Sequence, residues 1–428
     1  MTILILSCVF VALVTLGLPI SFAMGISSLA ALLYQSELPF NLIVHRTMMG
    51  VDSFVLLAIP LFIFAGTIME QGGISERLVR FAHTLLGRFR GGLPMVVVGS
   101  TMLQSGISGS TVADVSAMSA MTLRPLEEEG YARPYSLSVI GASCAFSILI
   151  PPCILMVIVA AVANTSVVAV FAGGILPAVV LGAMMLSFVH IQARRAHMPA
   201  GRKSSLREVL KGFVDALLAL GVPVLIFGGI RAGVATVTEM AAIAVLYAMA
   251  VGGLIYRRLS WNRIYTALVE TCVATGVITM LIGFAMIFGY LLATQGVPAA
   301  VASWIKVNEI PPWGVLVITA LIFVFIGAVL EGAPAVLIFV PILLPVVRSL
   351  GIDMVHWLTV VVLASGIGLF VPPTGLALMV ACSVGKVKME QMIKPLLPFL
   401  LLLLAGLALV IFIPSISTAL PQAMGLTY

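Results

Sequence analysis

Two proline pairs, Pro151-Pro152 and Pro372-Pro373, each lie in the middle of a long apolar run. Proline removes a backbone donor and clashes with the preceding turn, so a proline pair breaks a helix. Inside a membrane the backbone groups freed by such a break need partners in protein, in trapped water or in a bound ion. Breaks at corresponding places in two halves of a chain indicate a transporter's binding site. Both pairs therefore predict a ligand site built from interrupted membrane helices.

The composition predicts an all-α polytopic membrane protein. The 428 residues are 61% hydrophobic and 9% charged, with a mean hydropathy of +1.22, whereas a soluble protein carries roughly a quarter charged residues. Runs of about 20 apolar residues fit a bilayer core. The first run lacks a basic start and a cleavage site, so we expect a retained membrane helix from Met1 to about Gly25. The apolar runs cover 3–33, 53–70, 93–123, 135–163, 167–190, 213–231, 239–256, 264–294, 314–347, 355–385 and 395–415.

Features of enzymes and of nucleic-acid-binding proteins are missing from the sequence. The net charge of +6 comes from short Lys and Arg clusters between apolar runs, as membrane topology requires. The five cysteines show no CxxC and no disulfide-like spacing. There is no GxSxG, HExxH or GxxxxGK[ST] motif and no metal-ligand spacing of histidines. We therefore expect no enzyme, no organic cofactor, no transition metal and no nucleic-acid partner.

Short motifs recur in the same order in two halves of the chain. Each copy follows its partner by about 220 residues, which indicates an internal repeat; the alternative is chance, because Gly and Pro are common in membrane helices. The basic connector 192–211 divides the chain, so we predict one repeat over 1–191 and another over 212–428. The corresponding pairs are Gln71-Gly72 with Gln295-Gly296, Gly106–Ser110 with Ala328–Gly332, and Pro151-Pro152 with Pro372-Pro373.

Charge predicts that the two repeats have opposite orientations in the membrane. Segment 77–90 carries four arginines, whereas its counterpart 299–313 has one Lys, one Glu and two Trp. Under the positive-inside rule these equivalent loops lie on opposite sides, which is a transporter architecture. We expect loops 77–90, 192–211, 257–263 and 386–394 in the cytoplasm and loops near 35–45, 164–168 and 299–313 outside.

Four of the apolar runs are predicted to form the centre of this architecture. Runs 93–123 and 314–347 begin and end on one side, which predicts re-entrant hairpins. Their tips are rich in small residues, Ser105–Thr111 and Gly327–Ala333, and glycine permits a tight reversal. Runs 135–163 and 355–385 contain the proline pairs and are predicted to be broken helices. Hairpins entering from opposite sides would meet these breaks near the membrane midplane.

Neutral oxygens cluster beside the predicted breaks. Hydroxyl and carbonyl oxygens suit a hard monovalent cation, and unwound helix ends are where transporters hold sodium. Half-helix N-termini at the same breaks would favour an anionic substrate. The alternative is that these small residues serve close helix packing. The hydroxyl-bearing candidates are Ser105, Ser108, Ser110, Thr111 and Thr374.

Four acidic residues lie in or beside apolar runs. Glu331 at the second tip is the strongest candidate for a functional residue, because an ionisable group inside a membrane segment is expected by default to be functional. The alternative is that its carboxylate accepts hydrogen bonds from the backbone N–H groups of the tip. Asp114 follows the first tip. A functional role and a structural role, in which it neutralises a helix N-terminus, are equally expected. Asp52 is expected to be a helix N-cap. Glu239 is expected in the first turn of a helix capped by Thr238.

The chain resembles the large membrane subunit of TRAP transporters, the tripartite ATP-independent periplasmic family. The resemblance spans nearly the whole chain. In the first half the stretches that carry it are Asp52–Gly66, Gln71–Ile74, Ser108–Asp114, Ile150–Pro152 and Ala172–Pro177. In the second half they are Thr238-Glu239, Phe339–Pro345, Leu350–Asp353 with His356, and Gly368–Gly375.

This resemblance implies an inverted-repeat, elevator-type sodium symporter that imports an organic acid such as a dicarboxylate, sialic acid or another sugar acid. It implies two partners, a separate small four-helix membrane subunit and a periplasmic substrate-binding protein, and a location in the bacterial inner membrane. A related transporter that works alone, coupled to sodium or protons, is the alternative.

The resemblance also implies site residues. The first sodium site would involve Ser105, Ser108, Ser110, Pro151 and Pro152, and the second Gly327, Gly332, Gly368, Pro372 and Thr374. Substrate would contact Ser110, Glu331 and Cys153, the residue after the first proline pair. The chain departs from the family pattern in having Cys153 for Ser, Glu331 for Asp, Thr374 for Val and Met354 for Pro. Substrate identity is therefore not carried over.

Overall fold

The computed structural model describes residues 1–35, 41–196 and 205–426, and within these ranges the regular secondary structure is helical. Eight helices in this part of the chain are long and apolar enough to cross a membrane. Large apolar side chains such as Leu246 and Phe325 remain 67% and 73% exposed, as expected for a surface solvated by lipid rather than water. The predicted all-α polytopic fold is confirmed.

The first half consists of ten α-helices and a short 3-10 turn, Phe54–Leu57, within the described residues. The helices are α1 Thr2–Thr15, α2 Ile20–Gln35, α3 Asn41–Val51, α4 Ala58–Gln71, α5 Ile74–Leu86, α6 Gly92–Ser108, α7 Thr111–Glu128, α8 Arg133–Ser147, α9 Ile154–Ala163 and α10 Val167–Arg195.

The second half likewise has ten α-helices, together with a π-helical turn, Ala250–Ile255, in the described segments. The helices are α11 Leu206–Arg231, α12 Val237–Met249, α13 Trp261–Thr294, α14 Val297–Val307, α15 Pro312–Val329, α16 Gly332–Ser349, α17 Met354–Gly368, α18 Leu376–Gly385, α19 Met389–Phe412 and α20 Ser415–Ala423.

Two helical hairpins lie where the sequence predicts them. Helices α6 and α7 are joined by Gly109-Ser110, and Gly109 has a φ of +63°, a left-handed conformation that favours glycine. Helices α15 and α16 are joined by Leu330-Glu331. The second turn is therefore shorter than the predicted tip, because α15 continues through Gly327 to Val329.

Both proline pairs interrupt helices. Helix α8 ends at Ser147 and α9 begins at Ile154, whereas α17 ends at Gly368 and α18 begins at Leu376. Both Pro-Pro peptide bonds are cis. The hairpins pack on these interrupted helices across the two halves: α7 contacts α18, and α16 contacts α9. The centre of the fold is thus built from the four segments predicted to hold the site.

Arginines of each half cap the broken helix of the other half. Arg348, in the last turn of α16, donates to Ala163 O at 3.1 Å, and Arg133, at the start of α8, donates to Gly385 O at 3.4 Å. A cation at a helix C-terminus satisfies free carbonyls and complements the macrodipole. The same cap therefore recurs in both halves. The inverted orientation of the halves stays a prediction.

Three local expectations are wrong. The first apolar run is divided, because α1 ends at Thr15 and α2 begins at Ile20, with Gly17 at a φ of +84° between them. Asp52 caps no helix; Ser53 precedes the 3-10 turn, and its side chain makes no cap hydrogen bond.

The third concerns Glu239. Glu239 lies in the first turn of α12 as expected, but Thr236, not Thr238, caps this helix and forms a reciprocal capping box with Glu239. The Thr238 hydroxyl donates instead to Phe54 O at 3.2 Å. Of the predicted linker 192–211, residues 197–204 lie outside the described residues, and α10 and α11 occupy its two ends.

Candidate functional site

A cavity of about 420 Å³ lies where the two hairpin tips approach each other. Residues of both turns, Ser108–Ala113 and Glu331–Ala333, line it together with the start of α9. Helices α4 and α13 complete its wall. Five different segments of the sequence, three from the first half and two from the second, thus converge on one space, which is typical of a transporter's ligand site.

The first hairpin and the first proline pair are in direct contact. A Cβ built on Gly106 would lie 3.2 Å from Pro151 O, and one on Gly109 would lie 3.0 Å from Pro152 O. The Ile154 N–H donates to Gly109 O at 3.4 Å. Only glycine at the tip therefore lets the two backbones approach so closely. Ser105 is buried on α6, while Ser108 and Ser110 line the cavity.

The second hairpin and the second broken helix also meet backbone to backbone. A Cβ on Gly327 would lie 3.0 Å from Ser365 O and 3.2 Å from Gly368 Cα. A Cβ on Gly332 would lie 3.1 Å from the side chain of Leu155 on α9. Gly327 and Gly368 are therefore in backbone contact, whereas Gly332 packs against α9 of the first half. Their role in a sodium site stays a prediction. Pro372 and Thr374 lie in the break itself, and Thr374 is exposed without a hydrogen bond in the structure.

Of the three predicted substrate residues, two line the cavity and one does not. Ser110 and Glu331 both line the cavity. Glu331 occupies the N-cap position of α16 but makes no cap hydrogen bond, so the structural alternative, a carboxylate satisfying backbone N–H groups, is not what the geometry shows. Cys153 is 1% exposed at the N-cap of α9 and is absent from the cavity wall. Its side chain is part of the buried core.

Sequence reasoning missed two further carboxylates in the cavity wall. Glu70 on α4 and Glu270 on α13 both line it, and the hydroxyls of the neighbouring Thr67 and Thr271 lie 3.4 Å apart. Glu270 lies inside the predicted apolar run 264–294 and Glu70 is the last residue of run 53–70, so the criterion that selected Glu331 also applies to them. With Glu331 they make three carboxylates, and the described cavity wall contains no Lys, Arg or His.

The polar groups of the site suit hard cations rather than transition metals. In the described part of the chain no group of His, Cys, Asp and Glu has the arrangement of a metal site. The polar groups in the cavity wall are hydroxyls, including those of Thr67, Ser108 and Ser110, and the three carboxylates, and oxygen ligands are those that alkali cations prefer.

Comparison with known proteins agrees with this architecture. The chain is 35% identical over 376 residues to the C4-dicarboxylate TRAP transporter large permease protein DctM of Pseudomonas aeruginosa, covering 88% of each chain. It is 33% identical over 407 residues to the sialic acid TRAP transporter large permease protein SiaM of Vibrio cholerae, covering 95% of each. These relatives are transport permeases, not enzymes.

Among solved structures, the YdaH transporter of Alcanivorax borkumensis is similar in fold, with a TM-score of 0.61 at 17% identity over 87% of each chain. The model of the family described as Tripartite ATP-independent periplasmic transporter, DctM component, matches residues 7–416. A match over nearly the whole chain, together with relatives above 30% identity, places this multi-pass membrane protein among the transport permeases. The chain therefore belongs to the DctM-component family of the tripartite ATP-independent periplasmic transporters.

Proposed function

We propose that this chain is the sodium-coupled membrane permease that imports a small organic acid across the bacterial inner membrane. The observation that carries the proposal is the convergence of both hairpin tips on one cavity, each tip lying against an interrupted helix. Interrupted helices supply free carbonyls for a cation and free N–H groups for an anion. One site thus offers ligands for both members of a symport pair.

The described cavity wall contains no basic side chain, so we propose that bound sodium also offsets the negative charge of the acid. An acid entering a space that holds Glu70, Glu270 and Glu331 meets like charges, which is unfavourable in a medium of low dielectric constant. Bound cations and helix N-termini are then the groups that offset its charge. Binding of the acid is therefore expected to depend on sodium.

The proposed movement is of the elevator type. The hairpins and broken helices form one packed unit, in which α7 contacts α18 and α16 contacts α9. We propose that this unit carries the site across the membrane as a body, while the remaining helices form a scaffold. Sodium bound at both tips would stabilise the unit during the movement.

The family implies a small membrane subunit and a periplasmic binding protein, and we propose that both are separate polypeptides. Relatives are named for C4-dicarboxylate and sialic acid, so these two classes are the first substrates to test. The specific acid is left open in the proposal.

Uptake into proteoliposomes tests the proposal. The chain is reconstituted with its small subunit, the binding protein is added outside, and a radiolabelled C4-dicarboxylate or sialic acid is supplied with an inward sodium or potassium gradient. We expect uptake only with sodium and binding protein together. Equal uptake with potassium would contradict sodium coupling, and uptake by this chain alone would favour the stand-alone alternative.

A further inference from the structure

The turn between α4 and α5 packs directly on the π-helical turn that follows α12. A Cβ built on Gly72 would lie 3.2 Å from Gly252 Cα, so glycine lets the two backbones touch. The Arg263 guanidinium, at the start of α13, joins the two turns by donating to Gln71 O at 3.2 Å and to Arg258 O at 2.8 Å. The Gln71-Gly72 motif, which the cavity does not use, therefore belongs to a second built structure.

Positive charge collects around these two turns. Residues 71–80 and 250–265 together carry five arginines and one acidic residue, Glu76. Neither of the two ion pairs in the described part of the chain includes any of these arginines. Arg257 and Arg258 are exposed, and their side chains make no hydrogen bond within the described residues. We call Arg77, Arg257, Arg258 and Arg263 the basic platform.

The basic platform is held in place, and a helix N-terminus lies beside it. The guanidinium carbon of Arg77 lies 3.5 Å from the centre of the Tyr256 ring, whose hydroxyl donates to Asp215 O at 3.1 Å. A Cβ built on Gly73 would lie 3.8 Å from Arg258 Cγ, which places this side chain at the N-cap of α5. Gly73 has no side chain to accept from the first turn of α5. The N–H groups of that turn and the Arg258 guanidinium are therefore neighbouring donors for an anion.

The second half of the chain shows that a turn of this kind does not need the charge. Gly73 and Gly296 hold the N-cap positions of α5 and α14, with φ values of +73° and +72°. Residues 295–309, however, carry only one basic residue, Lys306, and one acidic residue, Glu309. The helix after the turn therefore begins in the same way without arginines, which leaves those of the first half for a ligand.

The surroundings of the basic platform favour a lipid headgroup over a free anion. Trp261, Leu254 and Ile255 are adjacent to it in sequence and are 82%, 77% and 57% exposed. Tryptophan is enriched where a membrane meets water, and exposed apolar side chains suit acyl chains. The loops 77–90 and 257–263 are both predicted to be cytoplasmic, and anionic lipids of the cytoplasmic leaflet attract basic segments.

We propose that the basic platform binds the phosphate headgroup of an anionic phospholipid, with Trp261, Leu254 and Ile255 beside its acyl chains. This inference does not depend on sodium coupling or on the identity of the transported acid. Helix α5 connects α4, in the cavity wall, to α6 of the first hairpin. A lipid bound at the start of α5 would therefore anchor this connection at the membrane surface.

Lipid titration of thermal stability tests this assignment. A ligand that binds only the folded state raises Tm by mass action, so the full chain in detergent is unfolded with increasing phosphatidylglycerol, phosphatidylcholine or inorganic phosphate at constant ionic strength. We expect only phosphatidylglycerol to raise Tm. Each arginine near an anionic surface contributes about a factor of five in affinity. Arg258→Gln and Arg263→Gln together should therefore raise the half-maximal phosphatidylglycerol concentration about twenty-five-fold.

Arg195→Gln is the matched control, because Arg195 is an exposed arginine at the end of α10, on the same predicted side but outside the basic platform. We expect it to keep the wild-type lipid response. An equal loss in Arg195→Gln would show that net charge alone attracts the lipid and would overturn the site. Equal protection by phosphatidylcholine would overturn recognition of the headgroup charge, and equal protection by inorganic phosphate would assign the platform to a free anion instead.

A double variant that fails to fold leaves the single variant Arg258→Gln to carry the test. The Arg258 side chain has no partner among the described residues, so its removal is expected to leave the fold intact. We expect its half-maximal phosphatidylglycerol concentration to rise about fivefold. An unchanged concentration in a monodisperse sample of either variant would overturn the proposal.

Discussion

Substituting Gly368 by alanine tests how closely the second hairpin is docked on its broken helix. The new Cβ would lie 2.6 Å from Val324 O and 2.8 Å from Gly327 Cα. Both are backbone atoms of α15, so neither moves aside as a flexible side chain does. Overpacking of this kind costs roughly 1–3 kcal/mol. Since each kcal/mol lowers the Tm of a large domain by roughly 2–4 °C, we expect Gly368→Ala to unfold about 2–12 °C below the wild type.

Gly289→Ala on α13 is the matched control, because a Cβ there meets no atom within 4 Å. Replacing a helical glycine at an open position is neutral or stabilises by up to about 1 kcal/mol. Both variants are measured by thermal unfolding in the same detergent and at the same sodium concentration. Equal Tm values for Gly368→Ala and the wild type would refute the backbone contact between α15 and α17. If the second hairpin holds one of the proposed sodium ions, the sodium response should weaken in Gly368→Ala and not in Gly289→Ala.

Three further substitutions probe caps and cavity. Arg348→Gln removes the guanidinium that donates to Ala163 O at 3.1 Å and should lower stability by about 1–3 kcal/mol; an unchanged Tm would contradict the cap. Thr236→Ala breaks the capping box and should cost about 1 kcal/mol in the same assay, whereas a neutral result would mean that the box is not formed. Glu270→Gln leaves an exposed cavity residue uncharged, so we expect an unchanged Tm but altered uptake kinetics in proteoliposomes; unaltered kinetics would exclude Glu270 from the transport path.

The hairpins and breaks were predictable because Gly and Pro act through the local backbone. A proline pair ends a helix whatever packs around it, so the breaks after Ser147 and Gly368 follow from the sequence directly. A glycine in the turn, as at Gly109, is equally local. The two halves repeat these signals in the same order, which fixed the central elements to within a few residues.

The rest of the site depends on contacts that a linear sequence does not contain. Glu70 and Glu270 belong to different halves, and only the packing of α4 on α13 places both in one cavity wall. Conversely, Cys153 follows the proline pair directly, yet its side chain points into the core. The cap residue of α12 was predicted wrongly for a local reason. Thr236 and Thr238 are two residues apart, and the hydroxyl of either can cap a helix start.

The unequal chemistry of the two hairpins follows from two positions. Both hairpins place glycine backbone against a broken helix, so carbonyl oxygens alone would make two similar cation sites. At the fourth residue of the second helix, however, one hairpin has Asp114 and the other Ala335. The second carries its carboxylate at the cap instead, as Glu331, facing the cavity. The first hairpin therefore buries its carboxylate on α7, whereas the second presents its carboxylate to the cavity.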